Sequence, residues 1–245
     1  GIFTTGFDDP KIDAVVIATP VSTHYDLASK ALESNKHTLV EKPLTNNVEQ
    51  AQILGKKAKD KNKILMIDHT YLYTPAIQKI KELIDSDSLG EIQYIDSTRI
   101  NLGLFQTDVN VIWDLAVHDI AICCYLLNEK PISVQAVGIS HTKSELENIA
   151  YITLNYKSQK LIHFNCSWIS PVKIRHMLIG GNKKMIVFND LETTEKIKIY
   201  DSSYKNKLNS ENKKKFLTDY RIGDIHIPKI PQIEGLMNMA EDFIN

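Results

Sequence analysis

Two different spacings of apolar residues divide the chain. In the first third, short continuous apolar runs rich in β-branched residues alternate with stretches of helical spacing. The apolar runs, at residues 14–18, 37–40 and 64–67, are typical of strands buried in a parallel sheet. Residues 23–34 and 46–61 repeat their apolar positions every three to four residues, which predicts helices. The strand–helix–strand–helix–strand order therefore predicts a parallel sheet with right-handed crossovers.

After residue 71 the pattern changes to longer stretches, many of which alternate apolar and polar residues. Alternation predicts strands with one buried face, as in an antiparallel sheet. The predicted strands span residues 92–101, 133–140, 149–156, 161–168, 173–180, 185–188 and 197–200. A predicted helix at 75–85 precedes these strands, and a second predicted helix at 111–127 interrupts them. We therefore predict an α/β segment followed by an α+β segment.

Composition excludes several classes of protein. The chain has 245 residues, of which 43% are apolar and 24% charged, close to the average globular domain. No stretch reaches the roughly 18 apolar residues of a membrane span. The 29 basic and 30 acidic residues give a net charge of −1, which provides no field to gather nucleic acid or anionic lipid. Three cysteines without a CxxC spacing indicate reduced thiols, so we expect a cytoplasmic protein without nucleic-acid or membrane partners.

The loop at residues 18–24 follows the first predicted strand. Ligands bind at the carboxyl ends of strands in open parallel sheets, so this loop is a candidate site. Its residues fit a plain strand-to-helix turn in which Ser22 or Thr23 is the N-cap. They also fit a helix N-terminus that faces a nucleotide, and the sequence leaves both interpretations open.

The second candidate loop is Glu41-Lys42-Pro43, directly after the second predicted strand. Pro43 cannot extend the strand, and it keeps the residue before it extended. A lysine fixed and desolvated above a sheet can act as an acid or a base. The alternative is an exposed pair of opposite charges with no chemical role.

The predicted helix at 111–127 is apolar at most positions but carries Asp114 and His118, four residues apart on one face. Burying a carboxylate and an imidazole is costly unless they are paired or used. Oxidation of an alcohol needs a base near the hydroxyl and a group that orients the base, which this pair can supply. An acidic residue near a helix N-terminus beside a hydrogen-bonded core histidine explains the same pattern.

Polar residues cluster just before this helix. Arg99 and Asn101 close a predicted strand, and Gln106, Asp108 and Asn110 lie in the following loop. Such side chains can contact a hydroxyl-rich ligand. Loops are polar in general, so the pattern fits a plain loop as well.

Three stretches together resemble the Gfo/Idh/MocA family of NAD(P)-dependent sugar and polyol oxidoreductases. They are 13–24 (DAVVIATPVSTH), 36–44 (KHTLVEKPL) and 113–127 (WDLAVHDIAICCYLL). Residues 68–110, with the run Trp113-Asp114-Leu115, most resemble the branch that acts on UDP-N-acetylglucosamine-type nucleotide sugars at the 3-position. The resemblance implies an incomplete Rossmann domain with a parallel sheet over residues 1–70. A substrate-binding and oligomerisation domain with a large, open, mostly antiparallel sheet would follow over residues 71–245.

The resemblance also implies hydride transfer between a sugar carbinol and nicotinamide. Lys42 would be the acid/base or would orient the hydroxyl, and His118 would accept the proton alone or with Lys42. Asp114 would orient His118 or a sugar hydroxyl. The cofactor, NAD or NADP with NAD favoured, would be bordered by Thr19, Pro20, His24, Glu41 and Lys42. A sugar or nucleotide-sugar substrate would contact Arg99, Asn101, Gln106, Asp108 and Asn110, and no metal is expected.

The sequence departs from the family at several points. No G-x-G-x-x-G turn occurs, and too few residues precede Ala14 for the strand–helix–strand unit that carries it. Val21 stands where many members have Asn, and Gly235 stands where the family has Pro. We expect a fragment truncated at both ends that is itself inactive and binds NAD poorly, whereas the full-length protein is a dehydrogenase.

The sequence leaves two alternative functions open and suggests an assembly. The same scaffold can serve a non-catalytic regulator that binds a sugar or a dinucleotide. The short chain can also be a genuine protein that has lost dinucleotide binding. A large open sheet commonly packs against another copy, so we expect a homodimer or homotetramer formed through that sheet.

Overall fold

The computed structural model describes residues 6–103, 105–143, 145–201, 203–206, 218–221 and 223–245. The strands are β1 Ala14–Ile17, β2 His37–Glu41, β3 Leu65–Asp68, β4 Ile92–Leu102, β5 Ser133–Ile139, β6 Ile149–Asn155, β7 Leu161–Ser167, β8 Ile169–Gly181, β9 Met185–Asn189, β10 Ile197–Tyr200, β11 Ser203–Asn206, β12 Thr218–Arg221 and β13 Ile225–His226. The helices are α1 His24–Glu33, α2 Val48–Asp60, α3 Pro75–Asp85, α4 Val117–Leu127 and α5 Gly235–Ile244. Short 3-10 turns cover Val21–Thr23 and Thr70–Tyr73, and a π-helical turn covers Ile112–Ala116.

The first sheet has the order β1-β2-β3, and all its pairs are parallel. Its buried apolar side chains pack against α1 and α2, in a small core of Ile17, Ala28, Leu32, Val40, Leu54 and Ala58. Asn47 caps α2, because its side chain accepts a hydrogen bond from the main-chain N–H of Gln50 at 3.0 Å. The predicted parallel strand–helix–strand unit is therefore confirmed.

The second sheet has eight strands in the order β13-β10-β9-β8-β4-β7-β6-β5. The β4–β7 pair is parallel and the other pairs are antiparallel, so the predicted fold class is confirmed. One face of this sheet packs against α3 and α4 to form the main core. Among the described residues, no helix is long and apolar enough to cross a membrane.

The helix predicted at 111–127 is divided in the structure. Its first turn, Ile112–Ala116, is π-helical, and only Val117–Leu127 is α-helical. A π-helical turn closes its hydrogen bonds over five residues, so residues four apart no longer stack on one face. This local change matters for Asp114 and His118, which lie on opposite sides of the boundary.

Helix α5 packs against the turn at residues 70–73. Asn238 Nδ2 donates to the Tyr73 carbonyl at 3.0 Å, and the Tyr73 hydroxyl donates to Asp242 Oδ2 at 2.7 Å. A Cβ atom at Gly235 would lie only 2.6 Å from the Thr70 carbonyl oxygen. A residue with a Cβ atom does not fit at this position unless the turn moves, which explains why glycine is suited to it here.

We predict that Gly235→Ala lowers the free energy of unfolding by about 1–3 kcal/mol, because the added methyl collides with backbone. Gly55→Ala is the matched control, since Gly55 lies inside α2 and its Cβ would have nothing within 4 Å. That change should raise stability by about 0.5–1 kcal/mol through helix propensity. Urea unfolding of both variants is the measurement, and equal shifts in the same direction would contradict the packing argument.

Candidate active site

The site begins with an ion pair between distant parts of the chain. Lys42 directly follows β2 and precedes a cis peptide bond to Pro43. Its Nζ donates to the main-chain oxygen of Asp114 at 2.8 Å and to Asp114 Oδ1 at 3.0 Å. The two side chains are 19% and 20% exposed. The structure therefore brings together two of the three residues that the sequence predicts to be catalytic.

The second carboxylate oxygen of Asp114 is held by a residue that the sequence analysis missed. Trp168 Nε1 donates to Asp114 Oδ2 at 2.9 Å, and the Trp168 side chain is buried. Phe105 packs edge-on against the indole, with ring centroids 5.8 Å apart. A buried tryptophan usually finds an acceptor for its N–H, but only the fold shows that the acceptor is Asp114.

His118 is near this ion pair but is not oriented by Asp114. Both oxygens of Asp114 bond to Lys42 and Trp168, and His118 Nδ1 is buried with no hydrogen-bond partner among the described residues. The π-helical turn between the two residues accounts for the lost alignment. Tyr71 meets the imidazole edge-on, with ring centroids 4.9 Å apart.

Burial and nearby positive charges keep His118 neutral. Burial lowers its pKa first, and the charges of Arg99, Lys42, His69 and Arg175 lower it further, to about 2. Loss of solvation and repulsion by nearby positive charges each disfavour the imidazolium form. His118 therefore presents an uncharged imidazole to the site at ordinary pH.

Arg99, predicted to contact substrate, lies one layer below the site. The residue is 4% exposed. Its guanidinium donates to the two oxygens of Asp119, from Nε at 3.1 Å to each and from Nη2 at 2.7 Å to Oδ1. It also lies over the ring of Tyr71, 4.5 Å from the centroid. Burial alone would lower the pKa of Arg99, but Asp119 reverses that effect and raises it.

The other residues predicted to contact substrate differ in exposure and in whether their side chains are already hydrogen-bonded. Asn110 is engaged: its Oδ1 accepts from the main-chain N–H groups of Ile112 and Trp113 at 3.1 and 3.3 Å, and its Nδ2 donates to Glu147 at 2.8 Å. It therefore starts the helical segment that carries Asp114. Gln106 and Asp108 are exposed, and Asn101 is half-buried at the end of β4.

His24 ties together the two loops predicted to border the cofactor. It is buried, and its Nε2 and Nδ1 lie 2.8 and 2.9 Å from the carbonyl oxygens of Thr19 and Pro43. The Thr19 and Thr23 hydroxyls are hydrogen-bonded at 2.7 Å, and Pro20 is exposed. The side chain of His24 thus fixes the carboxyl ends of β1 and β2 relative to each other.

Glu41 pairs with a carboxylate that the sequence analysis did not single out. Glu41 and Asp68 are register partners at the ends of β2 and β3. Burial raises the pKa of Glu41, and the charge of Asp68 and a hydrogen bond to it raise it further. Two carboxylates this close favour sharing one proton. Asp68 also accepts the main-chain N–H of Thr70 at 3.0 Å, which connects the pair to the turn carrying Tyr71.

We predict that His118→Asn makes the protein less sensitive to acid. The folded-state pKa of about 2 lies below the roughly 6.5 of an unfolded histidine, so the unfolded state binds more protons below about pH 6.5. Stability therefore falls as the pH drops, by about 1–2 kcal/mol between pH 7 and pH 5 for this group.

Urea unfolding at the two pH values measures the effect, and the variant should lose about 1–2 kcal/mol less than the parent. Val117→Ala, a neighbouring change without a titratable group, should lower stability to the same extent at both pH values. Equal losses on acidification for His118→Asn and the parent protein would show that His118 does titrate normally.

Comparison with curated proteins gives relatives that are dehydrogenases. UDP-N-acetylglucosamine 3-dehydrogenase of Acidithiobacillus ferrooxidans is 34% identical over 149 residues, which cover 59% of this chain and 46% of the relative. The NAD(+)-dependent scyllo-inositol 2-dehydrogenase of Bacillus subtilis is 33% identical over 136 residues, 54% of this chain and 40% of the relative. The matches thus span less than half of the length of these two relatives.

Solved structures agree over nearly the whole chain. The structure of UDP-N-acetylglucosamine 3-dehydrogenase from Acidithiobacillus ferrooxidans covers 95% of this chain with a TM-score of 0.75 and 25% identity, and the match includes 69% of that structure. An inositol dehydrogenase homologue from Azotobacter vinelandii, complexed with NADH and myo-inositol, has a TM-score of 0.78 at 19% identity, with 97% of this chain and 67% of that structure covered. This second match shows the fold alone.

Two family models complete the comparison. A model described as an oxidoreductase family with an NAD-binding Rossmann fold matches residues 4–69. A model of the GFO/IDH/MocA C-terminal domain matches residues 77–187. These matches give no support to the expectation that the chain is inactive by itself. Together they cover most of the chain in the family's own order, and the chain belongs to the Gfo/Idh/MocA family of oxidoreductases.

Proposed function

We propose that this protein is an NAD(P)-dependent dehydrogenase that oxidises a hydroxyl carbon of a sugar, with nucleotide sugars as its substrate class. The observation that carries the proposal is the contact between Lys42 Nζ and Asp114 beside a neutral His118. A cation that can hold a hydroxyl and an uncharged base within one site are the groups that alcohol oxidation requires. The names of the relatives reported above support the substrate class.

Lys42 holds the reacting hydroxyl. A lysine ammonium has three N–H donors, and two of them are used by the main-chain oxygen and Oδ1 of Asp114. The third is left for the substrate oxygen. As the hydroxyl loses its proton, the adjacent positive charge stabilises the negative charge that develops on the oxygen.

His118 receives the proton. Its neutral form has one nitrogen lone pair available, and burial excludes water that would otherwise compete for that position. Burial and the surrounding positive charges oppose formation of the imidazolium. Negative charge that develops on the substrate oxygen offsets this repulsion, and proton transfer to His118 then becomes more favourable. Asp114 keeps Lys42 in place, and Trp168 keeps Asp114 in place.

The residues at the carboxyl ends of β1 and β2 fit the nicotinamide end of a dinucleotide. The Glu41 carboxyl is only partly buried and can accept a ribose hydroxyl, while His24 fixes the two loops that flank that position. Bound NAD would supply the hydride acceptor. We favour NAD over NADP because the family model that matches residues 4–69 is described as an NAD-binding Rossmann fold. No residue of this chain is assigned to the pyrophosphate.

We predict that Lys42→Met lowers turnover by about 10²–10⁴-fold, because the hydroxyl loses its donor and the developing charge loses its partner. The assay follows NAD reduction by absorbance with UDP-N-acetylglucosamine, myo-inositol and levoglucosan. Lys56→Met, an exposed position in α2, is the control and should not change turnover. Undiminished turnover in Lys42→Met would contradict the proposed chemistry, and tight binding of sugar and NAD without reduction would favour a regulator.

We also propose that two copies associate through the open face of the eight-stranded sheet. Exposed apolar side chains on β5, β6 and β7, namely Val137, Ile139, Tyr151 and Leu161, lie on the same face according to the strand registers. The edge strand β5 is exposed along its whole length. A contiguous apolar face of this kind commonly marks an interface, and a second copy of the same surface is the occupant with matching chemistry.

We predict that Val137→Lys shifts the protein toward the monomer. Val137 is 67% exposed, so the substitution does not disturb the core, but it places a charge that must be desolvated in the interface. Val48→Lys is the matched control, since Val48 is 61% exposed at the start of α2, away from the eight-stranded sheet. Sedimentation velocity at several concentrations distinguishes the variants. A monomeric parent protein, or identical behaviour of the two variants, would refute the interface.

A further inference from the structure

Two arginines lie side by side on the inner face of the large sheet. Arg99 of β4 and Arg175 of β8 are direct register partners, and directly opposed residues of an antiparallel pair share one face. Like charges in this position repel unless each is compensated. Arg99 is compensated by the buried carboxylate of Asp119, which accepts three hydrogen bonds from it.

Arg175 is compensated much less completely. Its nearest carboxylate oxygen, Asp190 Oδ2, lies 3.4 Å from Nη1. Asp190 also serves Lys196, whose Nζ lies 3.5 Å from Asp190 Oδ1 and donates to the main-chain oxygen at 2.5 Å. Two cations therefore share one carboxylate, and the surplus is one positive charge.

Several donors of Arg175, whose side chain is 30% exposed, have no acceptor among the described residues. A guanidinium has five N–H donors. The hydrogen bonds found among the described residues come from Nη1, to the Tyr71 hydroxyl at 2.9 Å and to Asp190. The Nε atom is buried without a partner there. A buried donor without a hydrogen-bond partner lowers the stability of the fold, and an acceptor that binds there removes this cost.

Tyr71 connects this surplus charge to the reacting centre. Its hydroxyl accepts from Arg175, so its own hydrogen remains to be donated, and no acceptor for it is found among the described residues. The same ring meets His118 at 4.9 Å. A group bound by Arg175 and Tyr71 would therefore lie within one sugar residue of the proposed proton acceptor.

We propose that Arg175 and Tyr71 bind an anionic substituent of the substrate, either a sugar carboxylate or a phosphate. The inference rests on the proposed function, because it places this contact beside the hydroxyl that is oxidised. Oxygen anions are the acceptors that a guanidinium fork matches best, and Tyr71 adds a neutral donor. The anion would neutralise the surplus charge and engage the donors that are otherwise unpaired.

The test measures binding by calorimetry at low salt, with glucose, glucuronic acid and glucose 1-phosphate and without cofactor. We expect at least one anionic ligand to bind about ten- to a hundredfold more tightly than glucose. Preference for glucuronic acid identifies the carboxylate as the anion, and preference for glucose 1-phosphate identifies the phosphate. Arg175→Gln should reduce the preference to about twofold or less, while Arg175→Lys should retain part of it as a point charge without the fork.

Two further variants separate recognition from general effects. Tyr71→Phe keeps the ring beside His118 and should lose only part of the preference. Lys173→Gln removes an exposed charge from the same strand, two residues away, and should leave the preference unchanged. Glucose bound as tightly as both anions, or an equal weakening of all three ligands by Arg175→Gln, would overturn the proposal.

Failure of this proposal is distinguishable from failure of the proposed function. Binding preference without NAD reduction would refute the dehydrogenase and leave the anion contact standing. NAD reduction together with equal binding of neutral and anionic sugars would support the dehydrogenase and refute the anion contact.

Discussion

The contact between Lys42 and Asp114 is the interaction on which the rest of the site depends. It joins the residue after β2 in the parallel sheet to the π-helical turn before α4, 72 residues further along the chain. Both groups are mostly removed from water, so each needs the other: a charge left alone in such a place is strongly destabilising. Trp168 satisfies the remaining oxygen of Asp114, and Asn110 fixes the start of the helical segment. The geometry of the site is therefore supported by the same bonds that join the parallel sheet to the segment carrying α4.

The helices and strands could be predicted from the sequence because their signals are local. β-Branched runs marked β1 and β2, alternation marked the strands of the large sheet, and Pro75 marked the start of α3. The π-helical turn at 112–116 could not be predicted, because Asp114 and His118 have the spacing of an ordinary helix. The difference is decisive for the chemistry, since it separates two side chains that ordinary helical spacing would align.

The site itself could be predicted only where a short motif carried it. Lys42 was singled out by its place after a strand and Asp114 and His118 by their helical spacing, and the resemblance added their roles. Trp168, Tyr71 and Arg175 come from distant parts of the chain and have no periodic signal. Arg99 was predicted to contact substrate from its place near a strand end, and the structure shows its guanidinium engaged by Asp119 within the core. Asp68 was missed because its importance comes from its register opposite Glu41, which no local pattern encodes.

The positive charges around His118 affect both its basicity and the binding of the substrate. Burial and the neighbouring charges, above all Arg99 and Lys42, lower its pKa to about 2, which on its own makes the imidazole a weak base. The same positive potential favours an alkoxide on the substrate and attracts an anionic substituent. Once negative charge enters, it offsets the repulsion that disfavours the imidazolium, so proton acceptance by His118 becomes easier when the substrate is present. A site arranged in this way couples recognition of a charged sugar to its own basicity, and a neutral sugar of the same shape would obtain only part of the benefit.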